Sequence, residues 1–482
     1  MQFSALQGRA LPGRVLPGRV LAAAVALVLF STPSLAQESA GDSTAGDSTA
    51  GQSTGGNSTG SPAKDDHWPT WRGPLGTGVA YGSAPIQWSD DEHIRWRIDI
   101  PGRGFSTPVV WGSKLFLTTA VPLEDPPQAP EQEQSQGRRR GFRSAPVVRT
   151  AFLTMCIDRG SGEVLWERVA REATPHEGFH RSYGSHASAS PITDGERLFV
   201  SFGSFGIYSY DLDGKLLWET DLDVKMRMRN QFGEGAAPVL HGDTLVIGFD
   251  QEEDSFIVAL DAATGEERWR TARDEPTTWA TPLITEVDGK QQVVTSGTNM
   301  VRAYSLDSGE LIWECGGLGL NAIPAVVRHA DLLLAMTGYR DSNLLAIRLG
   351  GREGDLTGTD AVVWSTTQGT SYTASPVLHE GIYYAVQDRG FISAWDAATG
   401  KPYYVAQRLP RGSTLKASPI AAGGHLYVAT ESGDVHVIKL GTEYEVVATN
   451  TLADQFFVAS PLAVEGQLIL RSRTDLICIG GQ

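Results

Sequence analysis

The sequence predicts an all-β fold: one eight-bladed β-propeller of four-stranded blades, with the last blade closed by an N-terminal strand. Three observations carry that prediction. A Pro-led phrase recurs at the length of a blade, a Gly turn followed by an aromatic marks most repeats, and the final repeat stops one strand short.

The recurring phrase is a small residue, Ser, Thr, Ala or Ile, then Pro, an apolar strand, a Gly-containing turn and further strands. Its prolines fall at 108, 191, 238, 282, 324, 376, 419 and 461. After a first gap of 83 the spacings are 47, 44, 42, 52, 43 and 42, which suits four short strands. Leu260-Asp261-Ala262-Ala263-Thr264-Gly265 and Trp395-Asp396-Ala397-Ala398-Thr399-Gly400 are clear copies of the turn expected between third and fourth strands. Trp166, Trp218, Trp269, Trp313 and Tyr404 each stand four residues after such a Gly, with Trp364 in the matching place of the fifth repeat. Large aromatics on outer strands are expected to clamp each blade to the next.

The eighth repeat ends at Leu476-Ile477-Cys478-Ile479 without a fourth strand, and Ile94-Arg95-Trp96-Arg97-Ile98 supplies one ahead of the first Pro phrase. Pairing them joins the termini and removes an open edge. Seven blades would follow if one weak repeat were a loop.

The N-terminus reads as an export signal over residues 1–36. Arg9, Arg14 and Arg19 precede an apolar run, Leu21 to Phe30, and the small-residue cleavage site Ser34-Leu35-Ala36. Cleavage there would take the formal net charge from −16 to about −19. That balance opposes nucleic-acid or anionic-membrane binding, and the mature chain has no integral membrane segment. Residues 37–64 form a Gly/Ser/Thr linker too polar to order itself, and residues 65–482 form the propeller. Matches in the linker to a nucleophile elbow at Gly51–Gly55 and to a glycosylation sequon at Asn57 lack the flanking structure that such chemistry needs. The long first gap holds a flexible insertion in blade 1, residues 121–149, with Arg138, Arg139, Arg140 and Arg143. Cysteines 156, 315 and 478 make no disulfide framework and read as apolar core.

Further phrases carry a resemblance: Trp68-Pro69-Thr70-Trp71-Arg72-Gly73-Pro74, Pro101-Gly102-Arg103-Gly104-Phe105-Ser106, Pro175-His176-Glu177-Gly178 and the run Tyr208 to Lys215. Over residues 67 to 480 the chain resembles the PQQ-type repeat propellers, which include the assembly factor BamB and quinoprotein alcohol dehydrogenases. It looks closest to a secreted bacterial group that opens on the Trp-Pro-x-Trp-Arg-Gly-Pro phrase. The resemblance implies the propeller fold and leaves function open. In the dehydrogenases it would imply a quinone over a Trp floor, under an adjacent-Cys disulfide and beside calcium. This sequence lacks the Cys pair and a recognisable calcium set, so neither PQQ nor Ca2+ is expected.

His176-Glu177-Gly178-Phe179-His180 matches HExxH, a zinc-hydrolase pattern when helical. Pro175 before it and Gly178 inside it argue for a loop instead, so no metal is expected at His176, Glu177 and His180. Residues three and five before each Pro should share a facing at the channel mouth. They place Arg103, Phe105, His186, Trp279, Asn321 and Lys416 there as candidate ligand- or partner-binding residues, with Ser188 and Val458. The functional expectation is an exported, periplasmic or extracellular, non-catalytic scaffold that binds a protein or a small polar ligand. A quinone-dependent oxidoreductase and a metal-dependent hydrolase are the rival readings.

Overall fold

In the computed structural model, residues 66–125 and 144–480 are described. The expected signal segment and linker lie outside the described residues, as does 126–143 of the insertion. Eight sheets, antiparallel but for one short parallel pairing, stand around a central channel, and helix is confined to three single 3-10 turns among the described residues. Each blade is named here by its innermost and outermost strands. Blade 1 runs from Val109–Trp111 to Val164–Ala173, blade 2 from Ile192–Thr193 to Leu216–Thr220, and blade 3 from Val239–His241 to Glu267–Arg273. Blade 4 runs from Leu283–Val287 to Leu311–Cys315, blade 5 from Val327–His329 to Val362–Thr366, and blade 6 from Val377–His379 to Pro402–Arg408. Blade 7 runs from Ile420–Ala422 to Val446–Thr451. Blade 8 begins at Leu462–Val464 and ends on Ile94–Asp99, which pairs antiparallel with Asp475–Gly480, Trp96 opposite Cys478. The N-terminal strand therefore closes the ring. Two blades exceed four strands. His67–Trp68 adds to the inner edge of blade 1, and Gly354–Asp355 pairs in parallel with the outer strand of blade 4.

Middle strands are buried on both faces, because neighbouring blades cover each side; Thr150–Asp158 and Leu332–Thr337 are almost wholly enclosed. Outer strands alternate, burying the Trp face only. The repeated turn explains that Trp. Trp218 donates its indole N–H to Ala262 O at 3.0 Å, and Trp269 donates to Leu306 O at 2.8 Å, each across to the next blade. The turn glycine of that next blade lies against the same ring: a Cβ on Gly265 would come within 2.5 Å of Trp218. Trp96 makes the same contact across the seam, donating to Arg159 O at 2.8 Å and covering Gly162. Blade 4 departs, since Trp313 turns to Gln292 in its own blade at 3.2 Å.

The Pro phrase has its own physical cause. Proline holds the preceding residue extended, and the N–H there bonds sideways to the hydroxyl one blade on. Ser375 N–H donates to Ser418 Oγ (2.8 Å), Ser418 N–H to Ser460 Oγ (3.3 Å), Ser460 N–H to Thr107 Oγ1 (3.0 Å) and Thr107 N–H to Ser190 Oγ (2.8 Å). These buried hydroxyls form an arc around the channel.

Residues 66–84 enter that channel as a hairpin. Asp66 O accepts from Gly112 N, and Trp68 is fully buried opposite Val110. Trp71 donates to Ser460 Oγ at 3.2 Å, and Arg72 donates to Pro376 O at 2.7 Å and Pro419 O at 2.9 Å. The chain then turns and descends beside blade 7, where Gly78 O accepts from Ala421 N and Gly82 O from Gly423 N. The Trp-Pro-x-Trp-Arg-Gly-Pro phrase is therefore a plug.

Candidate functional site

Because strands alternate in direction, the segments leading into inner strands and the hairpins joining second to third strands share one face. On that face the plugged channel leaves a cavity of about 470 Å3, with Trp71 among its lining residues. Phe105, Trp279, Asn321 and Lys416 line it, as the facing argument expects, and so do Ser188 and Val458.

The walls are ordered by short polar contacts. Trp279 donates to Gly233 O at 2.7 Å and stacks on Phe232 with centroids 6.3 Å apart. Asn321, buried in a left-handed conformation (φ 59°), accepts from Arg229 at 3.2 Å and donates to Tyr372 Oη at 3.3 Å. Tyr372 stacks on Tyr339 at 4.9 Å. Asn230 and Arg340, also on the wall, have positive φ of 54° and 58°. Both sit in tight turns, Asn230 in the 3-10 turn Arg229–Gln231 and Arg340 where Asp341 N–H donates to Tyr339 O at 2.8 Å. Lys416 Nζ lies 2.7 Å from Asp388 and 4.8 Å from the Tyr183 ring centre. Burial pulls the lysine down, but the Asp388 and Glu431 carboxylates together outweigh it and hold Lys416 above the usual lysine value.

Arg103 and His186 do not line this cavity. Arg103 is drawn outward where its backbone bridges Ala120, and its guanidinium lies over Phe105 and Phe179 at 5.3 and 5.0 Å. His186 faces a second, small cavity of about 30 Å3 with His176, Glu177 and Glu234. Burial first, then His176, pushes His186 down to about 4. Glu234 borders both cavities; burial pushes its carboxyl up to about 7 although Ser204 donates to it from backbone and side chain, each at 2.7 Å.

His176, Glu177 and His180 belong to no helix. His176 Nε2 is 2.7 Å from Met226 O, Glu177 accepts from Met228 N at 2.8 Å, and His180 Nδ1 accepts from Ser182 and Tyr183 N at 3.2 Å. The three side chains hold loops, so the one-faced helical presentation on which the HExxH pattern relies does not form at residues 176–180. No three His, Cys, Asp or Glu residues converge as a metal set among the described residues.

Sequence reasoning missed Tyr183, Phe232, Tyr339 and Tyr372, because loops of varying length carry them outside the register set by the prolines. Trp71 was read only as part of a family phrase.

The family model described as outer membrane protein assembly factor BamB matches residues 152–402 and 352–443. The chain belongs to this PQQ-type repeat propeller family. BamB of Burkholderia pseudomallei is 24% identical over 368 residues, covering 66% of this chain and 90% of that protein. Among solved structures, BamB from Moraxella catarrhalis superposes with a TM-score of 0.51 at 14% identity, covering 70% of this chain and 100% of the other. The quinohemoprotein alcohol dehydrogenase of Comamonas testosteroni gives 0.56 at 13% identity, over 87% of this chain and 81% of the enzyme. At such identities the two structures show a shared propeller fold alone. No helix among the described residues of this PQQ-repeat chain is long and apolar enough to cross a membrane.

Proposed function

We propose that this BamB-like propeller is an exported, non-catalytic scaffold that holds a polypeptide segment, or a small polar ligand, in the plugged cavity. The observation that carries the reading is the cavity itself: large, aromatic, and edged by polar groups already engaged with one another. Its relation to assembly factors favours a protein partner. Export through a signal at residues 1–36 and a linker at 37–64 would place it in the periplasm or outside the cell.

The quinone of the dehydrogenases does not fit these residues. No adjacent cysteines exist, Cys156, Cys315 and Cys478 are buried apart, and no carboxylate set for calcium converges among the described residues. The first test is metal content and absorbance of the mature chain from its native compartment, beside His176→Ala/His180→Ala. A metal-free, colourless protein is expected; stoichiometric zinc lost in the variant, or calcium with a quinone band, would overturn the reading. A photo-crosslinking residue at Tyr339 should then trap one discrete polypeptide, and trapping must fall when Trp279→Ala alters the wall.

A further inference from the structure

We propose that Arg103 and Arg473, at the corner beside the cavity, dock an acidic stretch of a partner polypeptide. This rests on the scaffold reading and states what the scaffold grips. The seam of the ring brings the two arginines together: Arg103 leads into blade 1, and Arg473 sits between Gln467–Arg471 and Asp475–Gly480 of blade 8. Both are pinned by the loop between blades 1 and 2. Arg103 Nη2 donates to Arg181 O at 2.6 Å, and Arg473 Nη2 donates to Ser182 O at 3.3 Å. Each is also seated on aromatics, Arg473 lying 4.3 Å from the Phe456 ring centre.

Neither arginine forms an ion pair among the described residues, and the Nε of Arg103 is buried without a hydrogen-bond partner. Burial first, and then Arg473, push Arg103 down to about 10. A fold gains nothing by fixing two like charges side by side; an anion between them relieves the repulsion.

The chemistry of the surroundings selects the anion. The chain carries a formal net charge of −16, so a long polyanion would be repelled wherever it left this corner. A short acidic segment meets the corner alone. Phe105 and Tyr183 line the cavity beside it, with Tyr183 stacked towards Phe456, so an apolar or aromatic side chain next to the acidic one would enter the cavity.

The test is fluorescence anisotropy of the full mature chain with a dye-labelled random copolymer of Glu and Phe, beside a Gln/Phe copolymer and heparin. Wild type should bind the Glu copolymer, and Arg103→Gln/Arg473→Gln should weaken it by about tenfold, with Arg103→Lys/Arg473→Lys close to wild type. Should the Gln pair fail to fold, the exposed Arg473→Gln alone must still weaken binding, and added salt must weaken it in wild type. Equal binding of both copolymers, unmoved by the variants, overturns the acidic docking and leaves the scaffold reading intact. Failure of both copolymers overturns the two together, and heparin binding without the Glu copolymer overturns the inference in favour of a glycan.

Discussion

Ser375, Ser418 and Ser460 each precede a proline, and that neighbour turns an ordinary hydroxyl into a tie between blades. In Ser418→Ala the buried N–H of Ser375 loses its acceptor, which costs more than the bond was worth. The variant should lose about 1–2 kcal/mol in urea unfolding, with unchanged slope. A midpoint equal to wild type would show that another acceptor replaces the hydroxyl. Glu234 makes a second single-residue test, through pH. Its carboxyl rises from 4.5 to about 7, so the stability it contributes is full below 4.5 and lost as pH rises through 7. His186, lowered from 6.5 to about 4, works the other way: its contribution is present above 6.5 and lost as pH falls through 4. Glu234→Gln should therefore gain stability over wild type between about pH 5 and about pH 8, by roughly 1 kcal/mol once partial exposure is allowed for. A difference flat across that window would place the carboxyl in water.

At the scale of the element, the turn between third and fourth strands does two jobs, and setting its Gly265 beside Gly289, in the turn between the first and second strands of blade 4, separates them. Gly265 and Gly289 share a φ of 76°, but a side chain at 289 meets nothing, whereas at 265 it strikes Trp218. Gly289→Ala should cost about 1 kcal/mol for the left-handed backbone alone. Gly265→Ala should cost about 2–4 kcal/mol, because the clamp to blade 2 must also open. Equal losses, by denaturant titration, would mean the indole yields without strain. This coupling also explains what was readable beforehand. Turn, Trp and Pro phrases are local and recur at fixed spacing, so blade number, clamp and closing strand could be inferred from one chain. Phe105, Trp279, Asn321 and Lys416 could be placed because two-residue alternation carries over from the strand. Arg103 and His186 stand outside the lining of the larger cavity, since their segments bend before the strand begins. Tyr339 and Tyr372 had no register to betray them; an aromatic in an otherwise polar loop was the signal available. The fifth strand on blade 4 likewise depends on a longer turn whose path no periodicity describes.

For the molecule as a whole, residues 66–100 perform two separable functions. The segment 66–84 crosses between inner strands, through Trp71, Arg72 and the bonds to Leu378 and Ala421, and sets Trp71 in the lining of the cavity. The segment beyond it closes the ring, through Trp88 N–H on Asn450 and the strand Ile94–Asp99. A closed ring unfolds cooperatively because each blade is held from both sides; an opened one has two frayed ends and nearest-neighbour coupling only. Deleting 85–100 should thus split a single unfolding transition into several, with blade 8 and blade 1 exchanging amide hydrogens first. Deleting 66–84 keeps the closing strand, so a single transition should survive at a lower midpoint, with faster exchange confined to Leu378, Ala421 and their neighbours on the channel wall. Deleting 37–64, outside the described residues, should change neither. If loss of 85–100 left one unshifted transition, the contacts among inner strands would hold the ring shut by themselves, and the N-terminal segment would serve the cavity alone.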